Sequence, residues 1–287
     1  MSKKNYLSIY AKSFNWSGFF LPKNIYSKCS ALYDFCRTID NIADQDSELE
    51  VKKNKLEEFK IKFEKKNQED YVIKNMWSLM NDSNISKKIV DDLFDGIESD
   101  LKKEVRIKTE KELLIYSYRV AGTVGLMMAK IFGVKNKESL QRAIDLGIAM
   151  QLTNIARDVV EDEKKNRVYL IKNSKDVLLN IKNVISKADS FYDSSFVGIK
   201  DIPLNCRFSI IVARRVYRQI GKKILKKKDI DSYRRAGKIY VSNFGKTIQT
   251  IFSLLDLIIL FFVKRKKYEK ENEFNLINED IALNERI

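Results

Sequence analysis

The chain offers almost nowhere to stop a helix. Its 287 residues include only 2 Pro and 10 Gly, the residues that punctuate secondary structure most strongly. Lys, Glu, Leu, Ile and Ala occur throughout, and the alternating apolar and polar runs of half-buried strands are nearly absent. These features predict an all-α chain of long helices joined by short charged turns. A chain of this length can bury a large core. No Ser/Gly/Pro linker and no internal repeat divides it, so one helical domain over 1–265 is expected. Residues 45–70 are polar and predict exposed helix or turn, and residues 266–287 predict a polar, poorly ordered C-terminal tail.

The absence of histidine removes imidazole acid/base chemistry, His-based triads and every zinc site that needs a His ligand. Carboxylate, amine, guanidinium, phenol and hydroxyl remain. Cys29, Cys36 and Cys206 form no CxxC pair, and their odd number and wide spacing predict reduced thiols with a packing role in a cytosolic chain. Lys plus Arg (54) outnumber Asp plus Glu (39), so the surface should attract anionic lipid headgroups, polyanions or phosphorylated substrates. No zinc-finger, RNP or helix-turn-helix pattern accompanies the charge, and no nucleic acid is expected as a partner.

The N-terminal MSKKNYLSIYAKSF has no apolar signal core. Near the other end, IFSLLDLIILFFV (251–263) is strongly apolar but short for a bilayer span, is interrupted by Asp256, and is followed by KRKKYEK. Two readings stand: a buried terminal helix ending in a solvated basic turn, or a helix resting on a membrane surface through 251–267. The second places a cytoplasmic protein at the inner face of the membrane.

The segment GIAMQLTNIARDVVEDEKKNRVYL (147–170) carries the sharpest chemical signal. At roughly 100° per residue, Gln151, Asn154, Asp158 and Asp162 fall on one narrow stripe, while Ile148, Leu152, Ile155 and Val159 lie beside it. A helix apolar on most sides is buried, so its polar stripe faces a cavity. Two aspartates at i and i+4 repel unless something positive lies between them. Carboxylate and amide oxygens suit a hard cation such as Mg²⁺, with Mn²⁺ as a substitute.

A second stripe occurs in YDFCRTIDNIAD (33–44), where Tyr33, Arg37, Asp40 and Asp44 share one side and Leu32, Phe35, Ile39, Ile42 and Ala43 the other. Alone, such aspartates are usually solvated. Repeated on two helices with Arg37 and Arg157 nearby, they would hold several Mg²⁺ ions around one diphosphate. In YSYRVAGTVGLMMAKIFG (116–133), Gly122 and Gly125 each cost a helix about 1 kcal/mol relative to Ala. Tight helix packing, a local kink and close approach of a bulky ligand all remain open, with Tyr116, Leu126, Met127 and Met128 as an apolar wall.

In this order, AKSF (11–14), YDFCRTIDNIAD, YSYRVAGTVGLMM and QLTNIARDVVEDEKKNRVYL resemble the motifs of the squalene/phytoene synthase family, the head-to-head prenyl transferases. The likeness is greatest to the bacterial phytoene-synthase members. VARRVYRQIGKKI, with Tyr217, is similar to the family's late tyrosine helix. Ala11 stands where the family has a serine, Asn41 where it has an aspartate, and Ile171 where it has a proline.

The resemblance implies a single-domain isoprenoid-synthase helical fold around a central cavity. It implies Mg²⁺ held by Asp40, Asp44, Asn154, Asp158 and Asp162, and diphosphate neutralised by Lys12, Ser13, Arg37, Arg157 and Arg167. It also implies prenyl chains lying along Phe14, Tyr33, Tyr116, Val120, Ala121, Gly122, Gln151 and Tyr217. The implied reaction joins two geranylgeranyl diphosphates into phytoene through a cyclopropylcarbinyl diphosphate, with release of two pyrophosphates and without NADPH. Two alternatives are kept. One is a squalene, presqualene or dehydrosqualene synthase using farnesyl diphosphate, and the other is a non-catalytic basic scaffold on a membrane.

Overall fold

A computed structural model describes residues 12–171 and 173–287, without the side chains of Lys12, Ser13 and Phe14. The helices begin where the sequence supplies caps. Asp70 caps α4 (Tyr71–Ser83), Ser86 caps α5 (Lys87–Ser99), Asn136 caps α8 (Lys137–Lys164), and Asp176 caps α9 (Val177–Gly198), each side chain accepting from backbone N–H groups of the first turn. Thr109 and Glu112 form a capping box at the start of α6 (Glu110–Ser117). Before these lie α1 (Lys12–Gly18), α2 (Lys23–Asp44) and α3 (Leu49–Glu64). The polar stretch 45–70 is thus mostly helix, anchored by Leu56, Phe59 and Phe63.

The helix after α6 does not restart cleanly. Tyr118–Gly122 forms a π-helical turn that runs directly into α7 (Thr123–Ile131), a local widening often found at functional sites. The chain continues through α10 (Leu204–Leu225), the short α11 (Ile230–Arg235), α12 (Asn243–Phe262) and α13 (Glu271–Ile281). The only sheet among the described residues is a two-residue parallel pair, β1 (Val105–Arg106) with β2 (Arg167–Val168), Val105 opposite Arg167.

The long α8 is the axis, packed against α7, α9 and α10. Its seam with α7 is built on glycine. A Cβ on Gly147 would lie 2.2 Å from the Ala121 carbonyl oxygen, and one on Gly125 would lie 2.2 Å from that of Ala143. Close helix packing therefore explains Gly125. Beside it, Phe35 is fully buried among Phe59, Phe63 and Phe94, with ring centroids 5.4–5.9 Å away.

One expectation needs correction, and one of the two readings kept for 251–263 falls. The segment 266–287 is not a loose tail: α13 buries Phe274, Ile277 and Ile281 and packs against α6. The spacing i, i+3, i+7 gives an otherwise polar segment one apolar stripe, and Arg286 then pairs with the buried Asp92 at 3.0 and 3.1 Å. Nor is 251–263 a buried helix. α12 runs for 20 residues, long and apolar enough by length and composition to cross a membrane, yet only Lys246, Ser253 and Leu260 are buried on it.

Candidate active site

A cavity of about 540 Å³ opens between α2, α7, α8 and α10. Both aspartate stripes face it. Tyr33, Arg37, Asp40 and Asp44 line it from α2, and Gln151, Asn154, Asp158 and Asp162 from α8, with Arg157 beside them. The opposite faces of the same helices are core: Phe35 and Ile39 on α2 and Leu152 and Ile155 on α8 are buried. Helical periodicity alone thus sends the carboxylates inward to one space.

The stripes meet at the C-terminal ends of α2 and α8. Lys165 Nζ and Arg167 Nη1 reach Asp44 Oδ1 at 3.0 and 3.1 Å. Arg167 is placed by the β1–β2 pairing, in which Val105 N donates to the Asn166 carbonyl at 3.0 Å. Arg37 Nη1 donates to Asp40 Oδ2 at 2.5 Å. Arg157 grips Asp158 through Nε at 2.7 Å and Nη2 at 2.5 Å, and Lys238 Nζ stands 3.5 Å from Asp158 Oδ1.

These partners leave the carboxylates in different electrostatic states. Burial pushes Asp44 up, but its bonds to Lys165 and Arg167 outweigh burial and leave it below the usual carboxylate range. Burial, then the charge of Asp44, raises Asp40 in spite of Arg37. Burial and the neighbouring Asp158 push Asp162 up to about 7, and among the described residues Asp162 forms no ion pair. Asn154 Oδ1 is buried without a hydrogen-bond partner. A repelled carboxylate and an orphaned amide oxygen, two positions apart on one stripe, are oxygen donors with unmet demand for positive charge.

That donor set fits Mg²⁺. Among the described residues no three acidic or cysteine side chains converge into a preformed cage. Mg²⁺ does not require one, since it commonly uses one or two carboxylates and completes its shell with water and phosphate oxygens.

Away from the charged end the wall turns apolar, with Val120, Ala121, Val124 and Met128 from the π turn and α7, and Tyr116 from α6. Tyr116 stacks on Tyr169 with centroids 4.6 Å apart, and both hydroxyls donate to Asp100, at 3.0 and 2.6 Å. Burial pushes Asp100 up to about 6 in spite of these bonds. Tyr33 is pushed up to about 12 by burial, and Tyr217, on the α10 wall, is raised by burial, so both remain neutral phenols. Cys29 and Cys36 also line the cavity, and burial pushes each thiol up to about 12. They are free thiols without nucleophilic character near neutral pH.

Three placements differ from expectation. Gly122 does not line the cavity: its Cα side faces Tyr118 and Ile144, where a Cβ would meet side-chain carbons at 3.0 and 3.1 Å. Leu126 and Met127 are wholly buried in the core, and only Met128 of that trio reaches the cavity. Lys12, Ser13 and Phe14 fall outside the described side chains. Conversely, Lys238, Lys165, Asp100 and Tyr169 belong to the site although no spacing singled them out. Lys238 follows α11, whose Tyr233 hydroxyl is fixed to the carbonyls of Ala156 and Arg157 at 2.8 and 3.0 Å.

An all-α cage with an apolar cavity and paired aspartate helices at one end is the architecture of isoprenoid-type synthases. A solved dehydrosqualene synthase in complex with ligand matches with a TM-score of 0.71 at 25% identity, covering 88% of this chain and 94% of that one. A squalene synthase from Alicyclobacillus acidocaldarius shares the fold at a TM-score of 0.68 and 17% identity, covering 79% of this chain and 91% of that one. The squalene/phytoene synthase description matches residues 9–173, more than half of the chain, and the protein belongs to that family. It is 40% identical to a 15-cis-phytoene synthase from a Paracoccus strain over 47% of this chain and 49% of that protein. It is 28% identical to a phytoene synthase of Rhodobacter capsulatus over 78% of this chain and 72% of that protein. At the higher identities the chain spans about half the length of the curated relatives it matches.

Proposed function

We propose that the protein is a prenyl transferase that condenses two geranylgeranyl diphosphates head to head into phytoene, releasing two pyrophosphates. The observation that carries this reading is the convergence of two aspartate stripes, each with its own arginine, on one end of an apolar cavity. Asp40, Asp44, Asn154, Asp158 and Asp162 would hold Mg²⁺, with Mn²⁺ as a substitute. Bound there, the metal supplies the charge neutralisation that makes diphosphate a competent leaving group.

The remaining steps belong to the chain. Arg37, Arg157 and Arg167 offer guanidinium donors to phosphate oxygens, and substrate phosphates would compete for them with the aspartates they now hold. Once the C–O bond breaks, the allylic cation needs a second prenyl double bond before it meets water. The walls of Val120, Ala121, Val124 and Met128 exclude water, and the neutral rings of Tyr33 and Tyr217 offer π faces to passing positive charge. Coupling with loss of one proton closes the cyclopropylcarbinyl diphosphate, whose own C–O bond then breaks to release the second pyrophosphate. Loss of a second proton from the rearranged C40 cation ends the sequence as phytoene, so no hydride donor and no NADPH is required.

The likeness to a dehydrosqualene synthase favours a second reading, in which the same chemistry acts on farnesyl diphosphate. A membrane-bound scaffold without catalysis leaves the inward aspartate stripes unexplained. Pyrophosphate release tests the reading. Asp40→Asn and Asp158→Asn are expected to lower Mg²⁺-dependent release by at least a hundredfold with an unchanged circular dichroism spectrum. Near-normal release in either variant would remove that stripe from the mechanism.

A further inference from the structure

α12 turns its apolar side chains outward. Phe262 is 81% exposed, and Ile251, Leu255, Ile258, Ile259 and Phe261 are each 50–59% exposed. A continuous apolar row of this kind marks an interaction surface. The opposite side of the helix is fastened down: Arg215 Nη1 pairs with Asp256 Oδ2 at 2.7 Å, Trp16 Nε1 donates to Thr250 Oγ1 at 2.9 Å, and Leu260 is buried. The helix therefore lies along the molecule, and spanning a bilayer would cost it these contacts. Lys264, Arg265, Lys266 and Lys267 follow at once, all exposed.

The face also has a fixed place relative to the cavity. At the end of α1 and just after it, Ser17, Gly18 and Leu21 line the cavity while Phe19 between them is 77% exposed. Before and in α10, Ile199 and Ile202 line it while Leu204 is 61% exposed. One layer of chain thus separates the cavity from solvent here. Lys200 donates to the Val263 carbonyl, which ties this layer to the end of α12. Gly198 abuts Arg142 near the start of α8, sixteen residues before Asp158, or roughly 24 Å at helical rise. The C-terminal end of α12 thus lies toward the end of the cavity remote from the aspartates, while its N-terminal end follows Lys238, which stands 3.5 Å from Asp158.

We propose that this face docks on the surface of an anionic lipid bilayer, with the apolar row in the interface and the 264–267 cluster on the headgroups. Delivery of a hydrocarbon product to that membrane rests on the prenyl-transferase reading, whereas docking itself does not. Interfacial helices combine these two attractions, and each basic residue at an anionic surface contributes about fivefold to partitioning.

Flotation of the full chain with phosphatidylglycerol/phosphatidylcholine vesicles and with phosphatidylcholine vesicles, without substrate, tests docking alone. Binding is expected to the anionic vesicles, weakened by salt and released by carbonate. Lys266→Gln/Lys267→Gln should weaken it roughly 25-fold, and Phe261→Glu/Phe262→Glu by at least about tenfold. All four side chains are exposed, so thermal midpoints should hold. Failure of the wild-type chain to bind either vesicle would overturn the proposal. So would binding resistant to carbonate, which means a spanning helix. A dimer in ultracentrifugation that Phe261→Glu/Phe262→Glu splits without changing vesicle binding would assign the face to a second copy instead.

Discussion

Replacing Gly147 with alanine isolates the contact on which the cavity's shape depends. In an ordinary helix the change stabilises by about 1 kcal/mol. Here the new methyl would sit 2.2 Å from the Ala121 carbonyl oxygen, 2.7 Å from its carbon and 2.8 Å from Gly122 Cα. All three are backbone atoms of the π turn, so no rotamer change relieves the clash and the α7–α8 seam must open. Overpacking costs about 1–3 kcal/mol where neighbours yield, and a rigid backbone neighbour puts this site at the upper end. The net loss is about 2 kcal/mol, or a thermal midpoint lower by about 4–8 °C. Val120 and Ala121 line the cavity from the same turn, so turnover should fall too. Gly221→Ala is the control, since its methyl would meet only the Ile185 side chain at 3.1–3.3 Å; it should be neutral or stabilising by up to about 1 kcal/mol. Circular dichroism melts of the two variants check this. A Gly147→Ala protein as stable as wild type would refute the seam as the reason for glycine.

Further expectations concern the interior. Burial pushes Asp145 up to about 7 although Ser194 Oγ and Tyr268 Oη donate to it at 2.6 and 2.8 Å. A folded-state value above the unfolded value of about 3.9 means the folded state binds more protons, so this residue's contribution is complete below about pH 4 and is lost as pH rises through about 7. Urea midpoints should therefore fall across this window by more in wild type than in Asp145→Asn, and equal slopes would contradict the assignment. Phe35→Ala should cost roughly 3–5 kcal/mol in urea unfolding; a loss below about 1 kcal/mol would mean that the four-ring cluster is not tightly packed.

The helices and both stripes were legible because helical periodicity is local. Asp40 and Asp44, or Asp158 and Asp162, are one turn apart, and the apolar residues beside them dictate which way they face. What joins the stripes was not legible. Asp44 meets Lys165 and Arg167 across 121 and 123 residues, and Asp100 reads in sequence as nothing more than a helix end. Lys238 arrives only because Tyr233 docks α11 on α8. Composition also misled at both ends of the scale: α13 is mostly polar yet has just enough apolar residues, correctly spaced, to dock, while α12 is mostly apolar yet packs by a narrow polar edge centred on Thr250, Ser253 and Asp256. Average hydropathy says how greasy a helix is, not which side finds a partner.

The central claim is tested most directly by the hydrocarbon the protein makes. Purified chain is supplied with Mg²⁺ and either geranylgeranyl or farnesyl diphosphate, with and without NADPH, and the organic extract is resolved by chromatography and read by absorbance and mass. The expected result is a forty-carbon hydrocarbon with a conjugated triene, formed from geranylgeranyl diphosphate, abolished by chelation of Mg²⁺ and unchanged by NADPH. A thirty-carbon product formed preferentially from farnesyl diphosphate, or a hydrocarbon that appears only with NADPH, would contradict it.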